Sequence, residues 1–520
     1  MREGSHRLVQ CELGKANLIC MVQLSGTDQP PLPSEQLFVH GAAETYASQM
    51  ARVVAEITDR LRAVDRPFAG TSLREIERRV DAVDLDRVVP FDAAVDELSQ
   101  VYLDHAIWFH EPAYVAHLNC PVALAALAAE AIASAVNTSV DTWDQSTAGT
   151  LIERRLVDWT AGLIGFGEHA DGVFTSGGSQ SNLQAVLLAR EHAAHRLTGA
   201  AFEPELAPRL RVLATGETHF SVQKAARLLG LGSSAVRQVA TLPDGRMDPA
   251  ALRAALHDVV ADGDVPMAVV ATAGTTDRGC VDPIAELAPL ARQHDAWLHV
   301  DAAYGGGLLL SPTRRHLLDG IEHADSVTVD YHKSFFQPVA SSAIVVRRGA
   351  DLRHVAFHAD YLNPKTAVVP NQVDKSLQTT RRLDALKLWL TLRVVGAEAL
   401  GAMFDDVIDL AGEVHGRLQL DPDFETLGRS QLSTVLFRFR PYGVTVAQSD
   451  ELNPAIRAAL FDEGRAIVAG TRVDGRHWLK LTLLNPQATG HDLDAVIERV
   501  RRAGRRQLAE DADGLEAVAG

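Results

Sequence analysis

Four cysteines in 520 residues are few, and none falls in a CxxC pair or at zinc-ligand spacing. Cys11, Cys20, Cys120 and Cys280 therefore exclude a disulfide framework and a cysteine-built metal site, and read as reduced thiols of a cytoplasmic protein. Also missing is any run of about 18 apolar residues, so no helix is expected to span a membrane. Positive charge is short: 50 Lys and Arg stand against 67 Asp and Glu, a net charge of −17. That balance argues against nucleic acid or an anionic membrane as a main partner. The early stretch "LVQCELGKANLICMVQLSG" is interrupted by Glu12 and Lys15 and fails as a signal-peptide core. No internal repeat or low-complexity tract is visible.

What remains is a globular chain, 47% hydrophobic and 22% charged, too long for one ordinary domain. Residues 1–44 read as an extension, with "TDQPPLPSEQ" (27–36) as a flexible lead-in. Helical periodicity starts near Glu44, with Met50, Val53, Val54, Ile57 and Leu61 on one face. Ser72 and Glu75 stand at capping-box spacing and predict a second helix start. "PVALAALAAEAIASAVN" (121–137) is apolar on nearly every side and reads as a buried or interface helix.

The middle of the chain changes character. Seven short β-rich runs, "DGVFTS", "RVLAT", "AVRQVAT", "MAVVATA", "AWLHVDA", "SVTVD" and "SAIVVRR", lie between 171 and 348. Helical stretches such as 181–197 and 283–294 separate several of them, the mark of an α/β domain with a mostly parallel sheet. After about 390 come "DALKLWLTLRVVG", then "STVLFRFRP", "RAIVAG" and "HWLKLTLL", then a last helix from about His491, which together predict a separate α+β unit. The expected division is a 1–44 extension, a 45–125 helical segment, a 126–390 large domain and a 391–520 small domain.

Ligands of parallel sheets gather at the carboxyl ends of strands. The first such end runs Ser176-Gly177-Gly178-Ser179 straight into a helix, a turn suited to an anion though without the GxxxxGK[ST] of a P-loop. Later ends carry His219, Thr276, Asp301 with Ala303, and Asp330 followed by His332 and Lys333. A lysine that attacks an aldehyde, an aspartate that keeps a pyridinium protonated and a glycine-led phosphate cradle are what a pyridoxal phosphate site requires.

The motifs "GVFTSGGSQSNLQAVLLAR", "ETHFSVQKA", "ATAGTT", "WLHVDAAYGG" and "DYHKSFF" follow in an order that resembles the group II pyridoxal-phosphate-dependent amino acid decarboxylases, over roughly residues 45–510. The resemblance implies the aspartate aminotransferase-like fold of type I, with a mainly parallel seven-stranded sheet, and a homodimer whose sites are completed across the interface. It implies Lys333 as the lysine that attaches the cofactor, Asp301 as the pyridine-nitrogen partner, Ala303 beneath the ring and His219 stacked above it. Gly178, Ser179 and Thr276 fall at cofactor-binding positions, with His332 nearby. Tyr361, in "AFHADYLNPKT", takes the place of a loop tyrosine that returns a proton to the substrate carbon; relatives with phenylalanine there tend towards aldehyde formation. Many relatives carry asparagine where this chain has Asp330, an anion that must point away, pair with a cation or hold a proton.

For the substrate, Asp141 stands where aromatic- and glutamate-specific relatives carry phenylalanine, with Trp143 and Asp144 close behind. A carboxylate there suits a substrate ending in an ammonium group, while a helix cap or an interface ion pair is an equal reading of the same residue. His117, Asn119 and Cys120 align with substrate-side positions. "YVAHLNCPV", "DTWDQS" and "SLQTTRRLDALKLW" most resemble lysine decarboxylases of hydroxamate-siderophore pathways, then 2,4-diaminobutyrate decarboxylases. The expectation is therefore lysine to cadaverine first, with diaminobutyrate, ornithine or an aromatic amino acid as alternatives. An aminotransferase, with Arg381 or Arg382 clamping the substrate carboxylate, a desulfurase, and a non-catalytic homologue are the rival classes.

Overall fold

In the computed structural model the described residues are 36–360, 362–364 and 368–519. They divide into two units by internal contact, one of residues 36–63 and 73–105, the other of 64–72 and 106 onward.

The first unit holds α1 (Ala43–Ala63), α2 (Leu73–Asp81) and α3 (Phe91–Val101). α2 begins one residue after Ser72, as the capping-box spacing predicts. Within the unit Glu56 of α1 is the electrostatic hub. It takes Arg52 at 2.9 Å and accepts the Ser99 hydroxyl of α3 at 2.9 Å.

In the second unit α4 (Leu124–Val136), α5 (Trp143–Ser146) and α6 (Ala148–Ile164) lead into β1 (Asp171–Thr175). Then follow α7 (Gly178–Thr198), β2 (Leu210–Thr215), α8 (Ser221–Leu228), β3 (Val236–Val239), α9 (Pro249–Ala261) and β4 (Val265–Thr272). The run closes with α10 (Ile284–Gln293), β5 (Trp297–Ala302), β6 (Ser326–Asp330), the single turn α11 (Tyr331–Ser334) and β7 (Ser342–Val346). All seven strands fall on the predicted runs. They form one sheet in the order β1-β7-β6-β5-β4-β2-β3, parallel except that β7 is antiparallel to both its neighbours. Because β7 is reversed against β1 and against β6, those two point the same way, so six carboxyl ends share one edge of the sheet. Every residue of β4, β5, β6 and β7 is buried, the continuous apolar pattern of strands covered on both faces. β3, at the sheet's edge, is half exposed.

Local chemistry sets the helix ends. Asp248 accepts the Ala250 amide at 2.8 Å, with Pro249 opening α9. α4 buries Ala126, Ala129 and Ala133 and leaves Leu124, Leu127, Ile132 and Val136 exposed in the single chain.

The C-terminal part comprises α12 (Ala385–Val394), α13 (Ala397–Leu420), β8 (Phe424–Thr426), β9 (Thr434–Phe439), α14 (Val446–Glu463), β10 (Ala469–Val473), β11 (Arg476–Thr482) and α15 (Gly490–Ala519). Its four strands pair antiparallel in the order β10-β11-β9-β8. One expectation shifts here. The run "RAIVAG" becomes strand only from Ala469, because Ile467 bonds instead to the 113–115 segment, through Ala113 O and the Val115 amide, both at 3.0 Å. β8, with only three residues, carried no readable alternation.

Candidate active site

A cavity of about 360 Å³ opens at the shared carboxyl edge of the sheet. Its walls come from the predicted strand ends: Gly178 and Ser179 after β1, His219 after β2, Thr276 after β4, Asp301 and Ala303 at β5, and Asp330, His332 and Lys333 at β6. Residues spread over 155 positions of sequence meet because parallel strands deliver their ends side by side.

The glycines explain how close the walls come. A Cβ on Gly178 would lie 3.0 Å from Asp330 Oδ2 and 3.2 Å from the Ala303 methyl. A Cβ on Gly305 would lie 2.3 Å from the Ala273 carbonyl that its own amide bonds at 2.9 Å. Larger residues at either place would push the loops apart.

Asp301 is buried and held on both oxygens: the Ala303 amide donates to Oδ1 at 3.1 Å and Asn182 Nδ2 to Oδ2 at 2.7 Å. Lys333 Nζ sits 2.9 Å from Asp330 Oδ2, which answers where the unexpected aspartate turns: it pairs with the neighbouring cation. Ser342 donates to Asp330 Oδ1 at 2.6 Å, and His332 Nε2 lies 3.6 Å from Oδ2. Burial pushes the Asp330 carboxyl up, but the charges of Lys333 and His332 and the Ser342 hydroxyl outweigh it and hold the group below the ordinary carboxylate range. His219 is pushed down by burial, with Asp301 opposing, so its imidazole is neutral at pH 7. Burial lowers His332 likewise, against Asp330.

The residues fit pyridoxal phosphate. A carboxylate and a primary amine both line the cavity, and Gly178 and Ser179 bring the N-terminus of α7, a helix end that favours an anion, to the same space. Two buried polar atoms of the cavity wall, Thr272 Oγ1 and Gln180 Nε2, also have no hydrogen-bond partner among the described residues.

Other expected residues lie elsewhere in this chain. Asp141 is buried, but its carboxylate is engaged by the Thr142 amide at 2.6 Å and the Ser139 hydroxyl at 3.1 Å, and it does not line the cavity. Trp143 bonds Asn371 through its amide (3.0 Å), and Asp144 accepts the Thr142 hydroxyl at 2.5 Å. His117 is exposed, and its ring is pushed down by burial of part of its surface and by Lys480 and Arg457. Cys120 lies behind the lysine turn, its thiol 3.5 Å from the His332 carbonyl. Tyr361 lies outside the described residues. The two arginines of the aminotransferase reading are occupied. Arg381 grips Glu153 through both nitrogens at 2.8 and 3.0 Å, and Arg382 reaches Glu130 at 2.8 Å.

Sequence reasoning missed Asn182 in the cavity wall and, behind it, Ser221, His299, Ser326 and Thr328, all buried and hydrogen-bonded to one another. A buried histidine inside "WLHVDA" was the one available signal, since a fully buried imidazole needs partners on both nitrogens.

Fold and site together define a pyridoxal-phosphate-dependent enzyme, whose cofactor, when bound, acts as an electron sink for a bond breaking at the substrate's α-carbon. Residues 92–440 match the model of the pyridoxal-dependent decarboxylase conserved domain, and the chain belongs to that family. It is 40% identical over 466 residues to an L-2,4-diaminobutyrate decarboxylase of Rhizobium meliloti (strain 1021), covering 88% of this chain and 92% of the relative. An L-2,4-diaminobutyrate decarboxylase of Acinetobacter baumannii is 35% identical over 475 residues, covering 89% and 93%. Among solved structures, the glutamate decarboxylase domain of the Vibrio parahaemolyticus diaminobutyrate-pyruvate transaminase and L-2,4-diaminobutyrate decarboxylase superposes with a TM-score of 0.83 at 35% identity, covering 90% of this chain and 96% of that one. The protein is therefore a pyridoxal-phosphate-dependent amino acid decarboxylase.

Proposed function

We propose that this enzyme removes the α-carboxylate of a basic L-amino acid, with L-2,4-diaminobutyrate as the preferred substrate and 1,3-diaminopropane as the product. The observation that carries the choice is the pair of diaminobutyrate decarboxylases that match it along nearly their whole length. Lysine to cadaverine, the first expectation from the motifs, with its siderophore setting, now stands second, and ornithine and aromatic amino acids follow.

In this reading Lys333 attaches the cofactor, and Gly178, Ser179 and Thr276 line the space for its phosphate end with His332 close by. Asp301, already fixed on two sides, presents its remaining lone pairs to the pyridine nitrogen and keeps that nitrogen protonated. Ala303 leaves room beneath the ring and His219 covers it. Tyr361 returns a proton to the substrate carbon. Asp330 holds the Lys333 amine in place by a direct ion pair when no cofactor is attached. Neither Arg381 nor Arg382 is free to clamp the α-carboxylate, because they are committed to Glu153 and Glu130. That suits loss of the carboxylate rather than its retention.

A homodimer is part of the proposal. Its support is the apolar face of α4, where Leu124, Leu127, Ile132 and Val136 stand exposed together in the single chain. Trp143, Asp144 and His117, which keep exposed surface, would then reach substrate in the partner's site, with buried Asp141 bracing that segment from behind.

Purified enzyme offered L-2,4-diaminobutyrate, lysine, ornithine, glutamate and tryptophan, with the amine products quantified, tests the substrate. Fastest release of 1,3-diaminopropane is expected. Aromatic amines or 4-aminobutyrate as main products would overturn the basic-substrate reading while leaving the family intact.

A further inference from the structure

Along and behind the cavity wall runs a chain of hydrogen bonds whose direction can be worked out from two fixed points. At one end is the Trp297 indole, which only donates, and its Nε1 lies 2.8 Å from Ser326 Oγ. In the middle is Asp301, which as a carboxylate only accepts. Asn182 Nδ2 stands 2.7 Å from Asp301 Oδ2, so the amide can sit only with its NH₂ towards the carboxylate and its oxygen turned away.

Everything else follows from that orientation. The Asn182 oxygen receives the Thr328 hydroxyl at 2.9 Å and faces His299 Nε2 at 3.0 Å. Two acceptors do not face each other at that distance, so His299 carries its proton on Nε2. Burial pushes the His299 imidazole down to about 4, which leaves one ring proton at pH 7 and makes Nδ1 an acceptor for Ser326 at 2.8 Å. Ser326 takes the indole proton and gives its own, so that arm is satisfied throughout.

In the other direction the second Asn182 N–H donates to Ser221 Oγ at 2.9 Å. The Ser221 hydroxyl hydrogen is then free for His219 Nδ1, 2.8 Å away, and the Ser221 amide points at the same nitrogen from 3.3 Å. With two donors on Nδ1, the single proton of the neutral ring belongs on Nε2, the edge that takes no partner among the described residues.

We infer that Ser221 and Asn182 are positioning residues that fix His219 as its Nε2–H tautomer, so that the ring over the cofactor site presents a hydrogen-bond donor to the substrate. The inference rests on the proposed place of His219 in the site, but the tautomer itself does not depend on which amino acid is decarboxylated. Asn182 serves both elements at once: one side chain holds the Asp301 carboxylate and orders the imidazole. A bare structural role for Ser221 would predict a loss of stability and no change in the proton's location.

The test uses protein labelled with [15N]histidine, cofactor-free and cofactor-loaded, with the His219 resonances assigned by their loss in His219→Gln. The expected wild-type pattern at pH 7.5 is that of an Nε2–H imidazole. Ser221→Ala should shift it towards a mixture of tautomers and lower kcat/KM by about tenfold, the size of one lost hydrogen bond at a reacting group. Ser221→Thr keeps the hydroxyl and should restore both. Circular dichroism melting shows whether the alanine variant is folded. If that variant does not fold, the wild-type and threonine spectra decide. An Nδ1–H pattern in the wild type, or an unchanged pattern in folded Ser221→Ala, would overturn the inference. Absence of any decarboxylation with an Nε2–H spectrum would instead count against the proposed function.

Discussion

Arg381 is the side chain that most sharply separates two readings of this site. It is 6% exposed, and its partner Glu153 is fully buried. The guanidinium makes two bonds to the carboxylate, at 2.8 and 3.0 Å, and a third to the Phe174 carbonyl at 3.0 Å. Gln372 donates to the same carboxylate at 2.9 Å. The pair thus ties α6 to the strand that feeds the glycine turn. At an effective dielectric of about 20, charges in such contact attract by about 6 kcal/mol. Two charge-assisted hydrogen bonds give about 3–6 kcal/mol by a separate route. Part of this is offset by desolvation of both groups, so Arg381→Met, which strands Glu153 without a counter-charge, should cost about 3–5 kcal/mol. The double variant Glu153→Gln with Arg381→Met removes both charges and should regain more than half of that loss. Urea unfolding of the cofactor-loaded enzyme measures the stabilities. Initial rates on the same preparations should show KM within about twofold of wild type. A loss below about 1 kcal/mol, or a KM raised about tenfold in a protein of unchanged stability, would refute the reasoning and return Arg381 to the role of a substrate-carboxylate clamp.

Lys333→Ala should release no amine from any amino acid and should lose the visible absorption of the lysine-bound cofactor, read by spectrophotometry after reconstitution. Asp330 has a folded pKa below its ordinary 3.8, so its stabilising pairing is complete above that value and lost as the pH falls through the lower one. Cofactor-free wild type should therefore lose up to about 1 kcal/mol more than Asp330→Asn between about pH 5 and pH 3. Urea midpoints across that range that run parallel for the two proteins would sink this expectation. Burial pushes both the Cys120 and Cys280 thiols up to about 12, so neither should be alkylated in the native enzyme at pH 8, and both should be after denaturation, as read by peptide mass spectrometry.

Much of the molecule could be read before any coordinates. The seven strand runs were legible because buried parallel strands carry unbroken Val, Ile and Ala content, and the glycines and turn residues between them are explicit. Lys333, Asp301, His219 and the Gly178 turn were legible because each sits at a strand's carboxyl end, where a parallel sheet gathers its ligands. Less legible was the "RAIVAG" stretch, whose apolar pattern suits a strand while its backbone finds partners in residues 113–115 instead.

The sequence by itself determined the kind of sheet, the edge where chemistry collects and the chemical types present there, since all three follow from local periodicity and residue identity. Tertiary structure alone decided which groups face which. Nothing local to "DYHK" says that Asp330 turns to Lys333 rather than away, and nothing in "RRLD" says that Arg381 is spent on Glu153, 228 residues earlier. Nor could Asn182 be seen as the link between Asp301 and His219. Hydrogen-bond direction depends on the partner an atom meets in space, and partners brought together by a crossover connection leave no trace in the spacing of either segment.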